Sequence, residues 1–200
     1  EAAIFRRDVD AILKNITAIK VSQRLGKAQE EILNPIGEAL ALCIEDAIYG
    51  ERPFHVYMVL PVHPEGTLNT LNIMTQLHLT MQSLVFGSHS LINRIRRAVL
   101  VMRLRKGKRM KKEDAVNLVS RYKIKRLESE AGDAWKAYLT LLNLRNWKIL
   151  ENRPVTEQIY VHSKLLIVDD RVAVIGSANI NDRSQLGGRD SELAITVRDD

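Results

Sequence analysis

The chain has 200 residues, 46% of them hydrophobic and 27% charged, with a formal net charge of +6. That balance excludes wholesale disorder and leaves enough apolar material for a core. Its apolar runs, such as Val56–Val62 and Leu165–Val168, fall far short of the roughly 20 residues of a membrane-crossing helix, and the single cysteine, Cys43, excludes an internal disulfide and a multi-cysteine zinc site.

Ile4, Phe5, Val9, Ile12, Leu13, Ile16 and Ile19 recur at helical steps and predict a helix over residues 2–25. Asn34-Pro35 marks a break and a new start. Ile36, Leu40, Ile44, Ala47 and Ile48 then give an amphipathic helix that stops at Gly50, with Cys43 read as a small core residue. Phe54–Leu60 is a continuous β-prone run and predicts a strand buried on both faces, as in a parallel sheet. A helix follows over 70–85. Gly87-Ser88 breaks it, and Ser90 is placed to cap the next helix toward Val101.

From Arg94 to Arg126 the only carboxylates are Glu113 and Asp114. The densest basic part, Arg103–Lys112, contains Gly107 and reads as an exposed loop, with a helix over 113–127 beyond it. Its default role is a solvated face, with contact to anionic lipid headgroups the main functional alternative. Residues 137–144 favour a strand. Trp135 and Trp147 are read as packing residues. Four short β-prone runs close the chain, at Ile159–Val161, Leu165–Val168, Val172–Ile175 and Leu193–Val197. Helices alternating with strands predict an α/β sandwich, a mixed and largely parallel sheet flanked by helices.

The chemistry concentrates between Tyr160 and Asn179. On a strand, His162 and Lys164 would share a face. An imidazole beside an ammonium suits a phosphate reaction: the ring attacks phosphorus or moves a proton, and the ammonium holds a non-bridging oxygen. Gly176 permits close backbone approach, and the Ser177 hydroxyl and Asn179 amide can bind phosphate oxygens. Asp182 and Arg183, just beyond, are read as pairing locally. His55 and His63 are weak candidates for substrate contact.

His162-x-Lys164-x4-Asp169, followed by Gly176-Ser177-x-Asn179, resembles the signature of the phospholipase D superfamily. The likeness extends over roughly residues 155–197. Ile159–Ile167, Gly176–Ser184 and Arg189-Asp-Ser-Glu192 look like the second motif of its eukaryotic-type members. The resemblance implies a site built from two motifs across a pseudo-twofold axis, with a phosphohistidine intermediate and no metal or other cofactor.

On that reading His162 is the general acid and base, and Lys164, Ser177 and Asn179 clamp the phosphate. Glu192 orients His162, and Asp169 belongs to the catalytic motif mainly by tying its turn. His55, His63, His78 and His89 lack a Lys two positions later, so residues 1–200 read as the C-terminal catalytic half, with a basic insertion at 94–126. The other motif is expected in an N-terminal half of the same protein.

The implied substrate is a glycerophospholipid and the implied partner a phospholipid membrane surface, with peripheral association. Nucleic acid is not expected as a partner. The alternatives are a superfamily nuclease working as a single-motif homodimer and a non-catalytic fragment that binds anionic lipid. The departures in residues 1–150 incline the reading toward a secreted bacterial effector, with a cytoplasmic protein otherwise.

Overall fold

The computed structural model describes residues 33–61 and 71–199. The helix expected over 2–25 and His63 lie outside them. Helix α1 (Ile36–Tyr49) buries Ala41, Ile44, Ala47 and Ile48 along one stripe, as the periodicity predicts. Cys43 lies off this stripe and is exposed, so it is not a core residue. Strand β1 (Val56–Val59) and helix α2 (Leu71–Met81) follow, the latter running into a π-helical turn over Gln82–Phe86.

Helix α3 (Leu91–Lys108) is the spine of the molecule. Ser90 caps it as expected: its Oγ accepts the Asn93 N–H at 3.3 Å and donates to the Val85 carbonyl. Leu91, Ile92, Ile95 and Ala98 pack against α1, β1 and Leu139 in a first core. One turn later Leu100 and Val101 enter a second core with Ala115, Val119, Tyr122, Leu127 and Ala131. A two-pronged ion pair, Arg94 to Glu45 at 2.6 and 2.7 Å, bolts α3 to α1. Planar guanidinium–carboxylate pairs of this kind fix geometry as well as adding energy.

The expected Arg103–Lys112 loop is mostly helix. Gly107 lies inside the last turn of α3, where its cost of about 1 kcal/mol against alanine is tolerable. Arg105, Lys106 and Lys108 also complement the negative end of the helix dipole. The true loop is Arg109–Lys111, with Arg109 in the left-handed region at φ 49°. The helix expected over 113–127 is two, α4 (Lys112–Ser120) and α5 (Ile124–Ala131), separated where Tyr122 turns into the second core. A short 3-10 turn (Ala134–Ala137) leads into β2 (Leu139–Leu142).

β1 and β2 form a parallel pair, with Val56 opposite Leu139 and Val59 opposite Leu142. The strand is not buried on both faces. Val56 and Met58 pack inward, while Tyr57 is 72% and Val59 54% exposed, because no described element covers that side. The α/β class holds, but the other ladders are antiparallel. β3 (Arg145–Leu150) and β4 (Arg153–Gln158) form a hairpin, and β5 (Lys164–Val168), β6 (Val172–Gly176) and β7 (Ala194–Arg198) form a three-stranded sheet. Residues 159–163, expected to contain a strand, form no regular element. Trp135 packs against the first core, whereas Trp147 on β3 is exposed.

Candidate active site

Register gathers the motif. Lys164 is paired with Gly176 across β5 and β6, and Gly176 with Ala194 across β6 and β7. The start of β5, the end of β6 and the start of β7 therefore meet at one edge of the sheet. His162 lies two residues before Lys164, in the irregular segment that leads into β5. It is not on a strand, so its position relative to Lys164 is not set by strand alternation. Its ring is exposed and tilted against Tyr160 at 5.8 Å between centroids. The Lys164 ammonium donates to the His162 carbonyl at 2.5 Å.

Ser177 links two strands. Its N–H donates to the Leu193 carbonyl at 3.0 Å, and its Oγ accepts the Leu193 N–H at 3.1 Å. The same hydroxyl donates to the Glu192 carboxylate. Hydrogen bonds from Ser177 and then Ser184, helped by the nearby Lys164 charge, hold Glu192 below the usual carboxylate range. The clasp is therefore present above that range and is lost as pH falls through the lowered value. Glu192 engages these two serines, whereas the sequence reading had it orient His162. The contact made by the imidazole here is with Tyr160.

Asp169 lies at the other end of the hairpin. Five strand residues separate it from the site edge, about 16 Å at 3.3 Å per residue. Asp169 and Asp170 have φ of 53° and 55°, and the Arg171 N–H closes the turn on the Val168 carbonyl at 3.0 Å. Such a turn needs two left-handed residues, and aspartate tolerates that conformation better than most side chains. Asp169 thus shapes the turn and does not join His162 and Lys164.

The segment after Gly176 is fastened from inside. Asn179 offers its carbonyl to the Asn181 N–H at 2.9 Å and to Gln185 Nε2 at 2.8 Å. Buried Asn181 caps a single helical turn, α6 (Asp182–Gln185), by accepting the Ser184 N–H at 3.0 Å. Arg183 pairs with Asp190 at 2.6 Å, a local contact as expected. Asp182 does not pair locally. Its carboxylate accepts the Leu33 N–H, the Asn34 N–H and Asn34 Nδ2 at 2.9, 2.8 and 2.6 Å. Sequence reasoning missed this role of Asn34. Its one signal, an Asn before Pro35, was spent on the helix start.

Gly176 is required by space and not by conformation. A Cβ there would sit 2.6 Å from the Leu193 carbonyl oxygen and 2.8 Å from the Ala194 Cβ. Gly176→Ala should cost about 1–3 kcal/mol through forced separation of β6 and β7. Thermal melting checks this; an unchanged melting temperature would contradict the close approach.

His55 is held apart from this edge, with Nδ1 on the Ala137 carbonyl at 3.0 Å and Nε2 on Thr140 Oγ1 at 2.8 Å. Among the described residues no group of three or more His, Cys, Asp or Glu is arranged to hold a metal ion, and no helix is long and apolar enough to cross a membrane.

A family model described as phospholipase D matches residues 18–198. Phospholipase D2 of Bos taurus is 35% identical over 173 residues, which cover 84% of this chain and 15% of the relative. Phospholipase D1 of Homo sapiens is also 35% identical over 173 residues, 13% of its length. Phospholipase D B of Dictyostelium discoideum is 64% identical over a shorter stretch of 62 residues. The chain thus spans a small part of the length of the curated relatives it matches. A family match over nearly all of the chain agrees with the His-Lys edge and its Gly-Ser-x-Asn turn: the chain belongs to the phospholipase D family.

Proposed function

We propose that this chain is the second-motif half of a phospholipase D-type phosphodiesterase that acts on glycerophospholipids at a membrane surface. The observation that carries the reading is the convergence of His162, Lys164, Ser177 and Glu192 at one sheet edge. The need for a further half is supported by the β5–β7 sheet. Leu165 and Ile167 are each 57% exposed on one face and Leu166 57% on the other, so apolar side chains are uncovered on both sides. The N-terminal half carrying the other motif is the occupant this reading assigns to them.

In the proposed reaction the other half supplies the nucleophilic imidazole, which forms a bond to phosphorus. The bond from phosphorus to the headgroup oxygen breaks, and His162, protonated, gives that oxygen its proton. Neutral His162 then takes a proton from water as the water oxygen attacks phosphorus. The P–N bond breaks, releasing phosphatidate and the free imidazole. The Lys164 ammonium stabilises charge on the non-bridging oxygens, which requires it to leave the His162 carbonyl for the substrate. The Ser177 hydroxyl, its acceptor side turned to Leu193, positions Glu192 at the same edge.

The test is transphosphatidylation by the full polypeptide that carries this chain, using phosphatidylcholine vesicles and ethanol. Phosphatidylethanol that disappears with His162→Ala is the expected result. Cleavage of an oligonucleotide without lipid turnover would replace the lipase reading with the nuclease one.

A further inference from the structure

In two places a tyrosine and a histidine, two residues apart in the chain, bring their rings together. Tyr57 lies against His55 with 4.5 Å between centroids, and Tyr160 lies against His162 with 5.8 Å. The two imidazoles differ in what else holds them. His55 is fixed without its tyrosine, because Nδ1 meets the Ala137 carbonyl at 3.0 Å and Nε2 meets Thr140 Oγ1 at 2.8 Å. Tyr57, 72% exposed, therefore has nothing left to orient. The His162 nitrogens have no such grip. Among the described residues, the one ring or hydrogen-bond partner of its imidazole is Tyr160.

The backbone around His162 is tethered on both sides. Before it, the Ile159 N–H donates to the Leu144 carbonyl at 2.9 Å, at the base of the β3–β4 hairpin. After it, Lys164 opens β5 in register with Gly176, and its ammonium holds the His162 carbonyl at 2.5 Å. These bonds place the main chain of His162 but leave its two side-chain torsions open. A free imidazole has three staggered wells in χ1 and about two in χ2. The carboxylate that the family resemblance assigned to its orientation is engaged elsewhere, since Ser177 donates to Glu192. Tyr160 is half-buried and the imidazole exposed, so the tyrosine is the better anchored of the two rings. A tilted aromatic pair at this spacing is attractive, and the contact disfavours the wells that turn the imidazole away.

We propose that Tyr160 is a positioning residue for proton transfer, its ring holding the His162 imidazole in the rotamer that serves the headgroup and water oxygens. The inference rests on the reading that His162 is the general acid and base, and it moves the orienting role from Glu192 to an aromatic wall. No proton passes through Tyr160. The ring acts only by raising the fraction of molecules whose imidazole is correctly turned. Its loss spreads the imidazole over about six rotamers, so kcat should fall about three- to tenfold. KM should not follow, because in this reading the Lys164 ammonium and not Tyr160 meets the phosphate.

The test uses the full polypeptide, isotope-labelled at histidine Cε1 for magnetic resonance. The signal lost in His162→Ala is that of His162. In Tyr160→Leu this signal should move, because the ring current of the tyrosine is gone, and in Tyr160→Phe it should stay near its native position. Phosphatidylethanol formation should follow the same order. Tyr160→Leu should lower kcat about three- to tenfold at unchanged KM, and Tyr160→Phe should stay within about twofold of native. Thermal melting verifies that each variant is folded. Tyr57→Leu is the control: it should move the His55 signal and leave turnover unchanged. A His162 signal unmoved in Tyr160→Leu would overturn the contact, whatever the turnover. Native kcat in Tyr160→Leu, or equal losses in the leucine and phenylalanine variants, would overturn the positioning role. So would a loss carried by KM. Native protein that forms no phosphatidylethanol would overturn the reading on which the role rests, and that result is told apart because the His162 signal is read without substrate.

Discussion

Replacing His162 by alanine is expected to lower phosphatidylethanol formation by about 10²–10⁴-fold while leaving the fold intact, the usual span for loss of a positioned general acid and base. The ring is exposed, and its described contact is the tilted face of Tyr160. Its removal therefore opens no cavity and orphans no buried partner. Neither His55 nor His89 is placed to substitute. Both nitrogens of His55 are taken by Ala137 and Thr140. His89 belongs to the turn before α3, where burial and then the Arg97 and Arg94 charges push its pKa below the usual histidine value. Three readouts should separate: turnover falls, the melting temperature stays within about a degree, and vesicle flotation is unaffected. Retention of more than about a tenth of wild-type turnover would remove His162 from the proton-transfer role.

The elements that announced themselves were those whose side chains repeat with a clear period. α1, the Ser90-capped start of α3 and the three strands at the C-terminus all carry such a pattern, and all are found close to where it places them. The β3–β4 hairpin was silent for a local reason. Its turn uses Glu151 and Asn152 at φ 49° and 59°, without the glycine that ordinarily advertises such a bend. The end of α3 was hidden by Gly107, whose local cost is outweighed by the second core one turn back.

In the site, residue types were legible but partnerships were not. Nothing near Glu192 in the chain says that it will sit on Ser177; that follows from Gly176 pairing with Ala194. The same logic separates Asp169 from His162. Within the motif they are seven residues apart, yet a hairpin sends its turn and its open end in opposite directions.

Removing the Asp182 carboxylate should damage both stability and turnover, unlike the change at His162. Asp182→Ala leaves the Leu33 and Asn34 N–H groups and Asn34 Nδ2 without their acceptor. Asn34 is 1% exposed, and its Oδ1 already lacks a partner among the described residues, so water does not simply replace the lost bonds. Hydrogen bonds to a charged group contribute about 1.5–3 kcal/mol each, but the three share one carboxylate and will not add fully; a total near 3 kcal/mol is expected. For a chain of this size that corresponds to a fall of roughly 6–12 °C in Tm.

Turnover should fall with it. Asp182 opens the helical turn that carries Ser184, and Ser184 is the second hydroxyl holding Glu192. Asn34→Ala should give a smaller loss of both, and the double variant should lose less than the sum, with a coupling of about 1–3 kcal/mol. Additive losses, or a melting temperature unmoved by Asp182→Ala, would mean that the start of α1 and the signature turn are not joined through this carboxylate.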